Sequence, residues 1–250
     1  MSIALQVALV MVTILVVLLV IGAPIGVAIG MSSAVSMICM IPADVSFATS
    51  AQRIFAGSNS FSLIAIPFFI LAGNIMNNGG IATRLVNCAK VISGRMPGAL
   101  AQSNVVANML FGAISGSGAA AAAAMGGTIG PLEEKEGYDK NYSTAVNVAS
   151  APVGMLIPPS NTMIVYSSVA GSVSIAALFM AGYIPGILWG LACMIVIYVY
   201  AKKRGYTSSK RYALKEKTKI ILEALPCLLM IIIVIGGIIG GIFTATEGAI

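Results

Sequence analysis

Residues 111–118 read Phe111-Gly112-Ala113-Ile114-Ser115-Gly116-Ser117-Gly118 and run into six alanines at 119–124; this stretch decides the fold. Before it, a moderately apolar run opens at Pro97-Gly98. After it come Gly126-Gly127, Pro131 and the cluster Glu133-Glu134-Lys135-Glu136. Each arm from the Ser/Gly centre to a polar end is about 12–18 residues. At 1.5 Å per residue, the shorter length does not cross the ~30 Å of a bilayer core. Two half-length arms joined by Gly and Ser predict a re-entrant helical hairpin over 97–136 that enters and leaves on one side. One Gly-rich span, packed closely on its neighbours through small residues, fits the same pattern.

The setting of this stretch is apolar throughout. Hydrophobic residues make up 58% of the 250-residue chain and charged residues 9%, against roughly 25% charged in a soluble domain. Apolar runs long enough to span recur, and the alternating polarity of a β-barrel strand is absent. The fold class expected is therefore all-α membrane, with several helical spans. A continuous apolar run over the first 42 residues is too long for one crossing, and Gly22-Ala23-Pro24 breaks it, because Pro removes a backbone donor. Spans are expected at 3–21 and 25–41, with the first retained, since it has neither the basic start nor the small-residue site of a cleaved signal. A polar stretch follows at 44–59, then a span at 61–76 closed by Asn77-Asn78-Gly79-Gly80. Over 81–93, Ile81, Leu85, Cys88 (or Ala89) and Ile92 recur at helical spacing opposite Arg84, Asn87 and Lys90. That pattern predicts an amphipathic interfacial helix, with a plain connector as the alternative.

A second interruption lies in the apolar run 142–170. Pro158-Pro159-Ser160-Asn161-Thr162 removes two backbone donors, so a broken helix over 141–170 is expected, or a simple proline kink. Orphaned carbonyls in lipid are costly, so the break should be buried or face a wet cavity, with Thr162, Ser160 or Asn161 capping the restart. Conventional spans at 174–200 and 220–239 flank a basic loop at 202–219 carrying Lys202, Lys203, Arg204, Lys210, Arg211, Lys215, Lys217 and Lys219. Between two apolar spans, such a cluster reads as a cytoplasmic marker with room for anionic-lipid contact, and not as a nucleic-acid site. Counting back from it puts the N-terminus outside. It also puts both hairpin ends inside, beside Arg84, Lys90, Arg95, Lys135 and Lys140.

These breaks supply charge without charged side chains. A helix ending at mid-depth aims carbonyls at the gap, and one starting there offers N–H groups. Transporters use such ends for Na⁺ and for anionic substrates. The hydroxyls of Ser115, Ser117, Ser160 and Thr162 and the Asn161 amide add neutral oxygens suited to hard cations. Enzyme chemistry has little support: the chain has no His, its four cysteines are scattered, Ser115 has no neighbouring base, and the glycine-rich tip has no phosphate-binding Lys. Glu247, alone in an apolar run, reads as a cap or interfacial group, with proton carriage as the alternative.

With these residues in hand, the chain resembles the large membrane subunit of the tripartite ATP-independent periplasmic (TRAP) transporters. The matching stretches are 66–73, 111–120, Ile157-Pro158-Pro159-Ser160-Asn161, 181–186 and 240–247. The resemblance implies an elevator-type, Na⁺-coupled importer of small organic anions, such as C4-dicarboxylates or sugar acids, in the bacterial inner membrane. Its partners would be a periplasmic substrate-binding protein and a small membrane subunit. It implies two inverted repeats, each with a hairpin and a broken helix, of which this sequence holds the first and the start of the second. Carried over, Ser115, Gly116, Ser117, Pro158, Ser160 and Asn161 fall in the Na⁺ site region. Asn161, Thr162, Asn108 and Ser117 fall near the substrate. Gly118 and Ala121 stand where members often carry polar residues. The domain organisation expected is a scaffold over 1–95 and a transport part over 96–172. A span and basic loop over 173–219 and the second-repeat start over 220–250 complete it. The rival readings are a single-component Na⁺-coupled dicarboxylate symporter, a non-transporting scaffold subunit and a channel.

Overall fold

The computed structural model describes residues 3–94, 96–171, 173–206 and 213–249, and every element among them is helical. The chain divides into two compact units, with the boundary after Ser60.

In the first unit, α1 (Ile3–Val20) is 18 residues long, apolar except for Gln6 and Thr13, and without a buried residue. At ~27 Å it matches the hydrocarbon thickness, and its exposed Leu, Ile and Val side chains suit lipid. α2 (Ile25–Ile38) begins after Pro24 as expected. It ends three residues before the expected 41 and, at 14 residues or ~21 Å, is short for crossing alone. The stretch expected only as polar, 44–59, forms a third helix, α3 (Ala43–Ser58). Pro42 starts it with a preset φ, and the buried Ser46 hydroxyl donates to the Ala34 carbonyl at 2.7 Å.

The second unit holds the two interruptions. A 3₁₀ turn (Phe61–Ile64) leads into α4 (Ala65–Asn78), and Gly80, with φ +75°, turns the chain into α5 (Ile81–Ser93). α5 is amphipathic as its spacing predicts, and most of its apolar face is covered by protein, while Ile92 at its end stays exposed. Ala82, Leu85, Val86 and Ala89 are buried in one cluster with Ala107, Phe111, Ile114, Met125 and Ile129 of the hairpin. For that reason α5 lies in the same compact unit as the residues after 95.

The hairpin is present: α6 (Ala99–Ser115) and α7 (Gly118–Lys135) run antiparallel, joined by Gly116 and Ser117. Their feet meet at the polar end, where the Tyr206 carbonyl accepts from Gly98 N–H and the Tyr206 hydroxyl accepts from Asp139 N–H. The broken helix is also present, with one interruption more than expected. α8 (Lys140–Ser150) gives way at Ala151-Pro152 to the single turn α9 (Val153–Leu156), and α10 (Asn161–Ala170) restarts at 48° to what precedes it. α11 (Ile175–Arg204) and α12 (Leu214–Ile239) are long enough to span, and their large apolar residues, Ile184, Leu188, Val196, Ile232 and Ile233 among them, stay exposed. Contiguous apolar surface of this kind is suited to lipid or a membrane partner. Most of the basic cluster sits on helix ends: Lys202, Lys203 and Arg204 in the last turn of α11, and Lys215, Lys217 and Lys219 in the first turns of α12. Arg95, Lys210 and Arg211 lie outside the described residues.

Candidate functional site

The tip of the hairpin and the break after α9 meet. Gly116 takes φ +61°, which a residue with a side chain rarely adopts, and a Cβ there would stand 3.0 Å from the Pro159 carbonyl oxygen. This close approach lets the Asn161 N–H donate to the Gly116 carbonyl at 3.2 Å, while the Asn161 amide reaches the Ser115 carbonyl at 3.5 Å. Two helices end here (α6 and α9) and two begin (α7 and α10). Each beginning is capped by a serine: Ser117 Oγ accepts from Ala120 N–H at 3.3 Å, and Ser160 Oγ accepts from Met163 N–H at 3.4 Å. Ser160, of the three candidates, is thus the cap of α10, and its own hydroxyl proton goes to the Met155 carbonyl. Residues 157–160 are all buried, so the chain at the break is sheltered as the cost of orphaned carbonyls demands.

Ser160→Ala removes both bonds and leaves the Met155 carbonyl without this donor. It is expected to destabilise the fold by about 1–3 kcal/mol, read as a lower melting temperature in detergent or nanodiscs. A melting temperature equal to that of the parent protein would show that the cap has no such role.

The oxygens left over define what the site could hold. Asn161 Oδ1 is buried and has no hydrogen-bond partner among the described residues. Ser115 Oγ, on a nearly buried residue, makes only long 3.4 Å contacts, both with the Ser117 backbone. Together with the carbonyl ends of α6 and α9, these are neutral oxygen donors, and they fit a small hard cation. Beside the tip lies a cavity of about 330 Å³ lined by Ser115, Ser117, Phe111 and Ala120 of the hairpin and by Gly73 and Asn74 of α4. Asn74 was not among the expected site residues. The signal available for it was one amide inside the otherwise apolar 61–76 run, which reads equally as an approaching helix end.

Of the eight candidate residues, six come together: Ser115, Gly116 and Ser117 at the tip, and Pro158, Ser160 and Asn161 at the break. Thr162 is exposed on the first turn of α10. Asn108 lies two turns below the tip, fully buried in a different polar cluster. Its Nδ2, with two hydrogens to donate, lies within hydrogen-bond distance of three acceptors: Asn104 Oδ1 (3.0 Å), Asn147 Oδ1 (3.2 Å) and Ser150 Oγ (2.8 Å). Its spacing from Ser115 puts it on the hairpin arm, and burial between α6 and α8 removes it from the tip. Glu247 caps its own turn, with Oε2 accepting from Thr244 N–H at 2.7 Å and Thr244 Oγ1 at 2.9 Å.

The family described as the tripartite ATP-independent periplasmic transporter, DctM component, matches residues 12–250. The chain belongs to that family. It is 54% identical over 218 residues to the uncharacterized protein YgiK of Salmonella typhimurium, a match covering 87% of this chain and 50% of that one. It is 41% identical over 208 residues to the C4-dicarboxylate TRAP transporter large permease protein of Vibrio cholerae, covering 83% and 46%. The sialic acid TRAP transporter large permease protein of the same organism is 41% identical over 204 residues, covering 80% and 47%. This DctM-family chain spans about half the length of these relatives. Its hairpin and broken helix both lie inside the matched region, so the junction of tip and break belongs to the family portion of the chain.

Proposed function

We propose that this chain forms the first-repeat half of the translocating core of a Na⁺-coupled importer of small organic anions, fed by a periplasmic substrate-binding protein and supported by a small membrane subunit. One observation carries the reading. The tip at 115–117 and the break at 157–161 are held together by the Asn161–Gly116 hydrogen bond, with the Asn161 side-chain oxygen buried and unpartnered beside two helix C-termini. Carbonyl ends and neutral oxygens attract a cation, and the N-termini of α7 and α10 favour the carboxylate of a co-bound substrate. The substrate class is supported by relatives named for C4-dicarboxylate, sialic acid and isethionate transport, and a relative named for ectoine, a zwitterion, shares only the carboxylate. The basic ends of α11 and α12 favour a cytoplasmic placement of that loop in the inner membrane, with the N-terminus periplasmic. On this reading the hairpin and broken helix move together as the elevator.

The test is uptake by the complete transporter in proteoliposomes, with its binding protein added outside. Accumulation is expected only with an inward Na⁺ gradient and only with the binding protein. Uptake without the binding protein would favour a single-component symporter. Flux without a Na⁺ gradient, faster than a conformational cycle allows, would favour a channel.

A further inference from the structure

At the foot of the hairpin, far from the tip, Glu133 is completely buried in the last turn of α7. This turn is outside the apolar stretches long enough to cross a membrane. Among the described residues neither carboxyl oxygen has a hydrogen bond or an ion pair, whereas its neighbour Glu134, pointing out, pairs with Lys140 at 3.7 Å. A buried carboxylate without a counter-charge is costly, and neutralisation is the usual resolution.

The surroundings indicate what neutralises it. Asn104 of α6 and Ser143 of α8 face the carboxyl group, and Tyr138 and Tyr142 stand close by, with Glu136 the nearest other acid. Asn104 Nδ2 and the hydroxyls of Ser143, Tyr138 and Tyr142 are all buried and make no close hydrogen bond, which leaves Asn104 and Ser143 available as longer-range donors to the carboxyl group. The direction of the Asn104 amide is set by a chain of bonds anchored on the backbone. Asn147 Nδ2 donates to the Ala122 carbonyl (2.8 Å), which leaves Asn147 Oδ1 to accept from Asn108. Asn108 Nδ2 also donates to Asn104 Oδ1, so the free end of Asn104 toward the foot is its NH₂. That NH₂ repels a metal cation. The hydroxyls of Ser143, Tyr138 and Tyr142 can donate or accept, so the sodium arm of the test below decides between a proton and a metal cation.

The ion pair described in this region, Lys140–Glu134, does not involve Glu133, and charged and titratable groups of the neighbouring elements lie around it. α11 contributes Tyr200, stacked on Tyr142 at 4.5 Å, and Arg204, whose guanidinium lies over the Tyr200 ring at 5.5 Å. Tyr206, just beyond α11, stacks on Tyr138 at 4.4 Å. α5, which also packs on α7, carries Arg84 and Lys90.

We infer that Glu133 is a proton-binding site: the hairpin foot, packed between α6 and α8, holds it as the neutral acid, and the ligand of this pocket is H⁺. The step is a simple protonation, carboxylate plus a proton from bulk water giving the acid, and the reverse on ionisation. Burial is the main cause that raises its pKa to about 7, opposed by Ser143 and Asn104. The foot therefore changes charge in the range where most carboxylates stay ionised. The asparagine chain links that charge to the α6–α8 contact at Asn108, one turn along α6 from Asn104. The inference does not rest on Na⁺ coupling or on substrate.

The test is infrared difference spectroscopy of the purified full chain in nanodiscs, titrated through pH 7 in Na⁺-free buffer. A protonated-carboxyl band is expected to grow as the pH falls through about 7, to shift on ¹³C-glutamate labelling and to vanish in Glu133→Gln. Ser143→Ala, which removes a donor favouring the charged form, is expected to move the midpoint upward and keeps the test open if Glu133→Gln does not fold. Thermal stability gives an independent readout. The folded pKa is raised above 4.5, so the stabilisation is full below that pH and is lost as the pH rises toward about 7. Glu133→Gln should lack this slope. No band near neutral pH, or an identical band in Glu133→Gln, would overturn the assignment. Loss of the band on adding Na⁺ at constant pH would overturn it too, by identifying a metal cation as the ligand.

Discussion

Gly112→Ala is expected to cost the protein more stability than any other single methyl placed on the hairpin arm. A Cβ on Gly112 would stand 2.1 Å from the Cα of Gly154, and one on Gly154 would stand 2.7 Å from the Cα of Gly112. The obstacle in each direction is backbone, so no side chain can turn aside. α6 and α9 would have to separate by more than 1 Å along the contact that carries the tip to the break. Overpacking a core with flexible neighbours costs about 1–3 kcal/mol, and here the cost should lie at or above the top of that range. The measurement is melting temperature and folded yield by size exclusion, with Gly127→Ala as the control. Gly127 lies on α7 with nothing within 4 Å of its Cβ position, and replacing a helical glycine there should be neutral or should stabilise by up to about 1 kcal/mol. Equal behaviour of the two variants would refute the backbone-contact argument.

Asn161→Ala is expected to have the largest effect on transport while leaving the fold intact. The bond that joins tip and break comes from the Asn161 backbone N–H, which alanine retains. What is lost is the buried, unpartnered Oδ1 and a long amide contact to the Ser115 carbonyl. A hydrogen bond or ligand to a charged partner is worth about 1.5–3 kcal/mol, or roughly a 10- to 150-fold loss of affinity. If the proposed Na⁺ coupling holds, uptake by the complete transporter should need at least about 10-fold more Na⁺ for half-saturation, with a melting temperature close to that of the parent. An unchanged Na⁺ dependence would remove Asn161 from the cation site. If Ser115→Ala were equally silent, the chain would be better described as a scaffold subunit.

The sequence marked the hairpin and the break, because both are written in local chemistry. Gly and Ser between two half-length arms, and two adjacent prolines in an apolar run, interrupt helices whatever surrounds them. The six residues that meet at the junction were readable for the same reason. Asn108 and Thr162 do not join the junction, and residue type alone could not show which way each would face. One faces α8 from the buried arm, and the other points outward from the first turn of α10. The turn at Ala151-Pro152 was hidden by an otherwise continuous apolar pattern. Helix α3 was hidden by its polar composition, which gives no strong period.

The sequence by itself determined that this is a helical membrane chain with two non-helical interruptions. Hydropathy and proline chemistry act over a few residues and need no partner. Tertiary structure alone decided the pairing of Gly116 with Asn161, the close approach of Gly112 and Gly154, and the burial of Glu133 while Glu134 beside it stays exposed. The physical reason is common to all three. Whether a carbonyl finds a donor, a missing Cβ is needed, or a carboxyl is cut off from water depends on which helix lies opposite, and residues 40 or more positions away supply that helix at the tip and at the glycine contact.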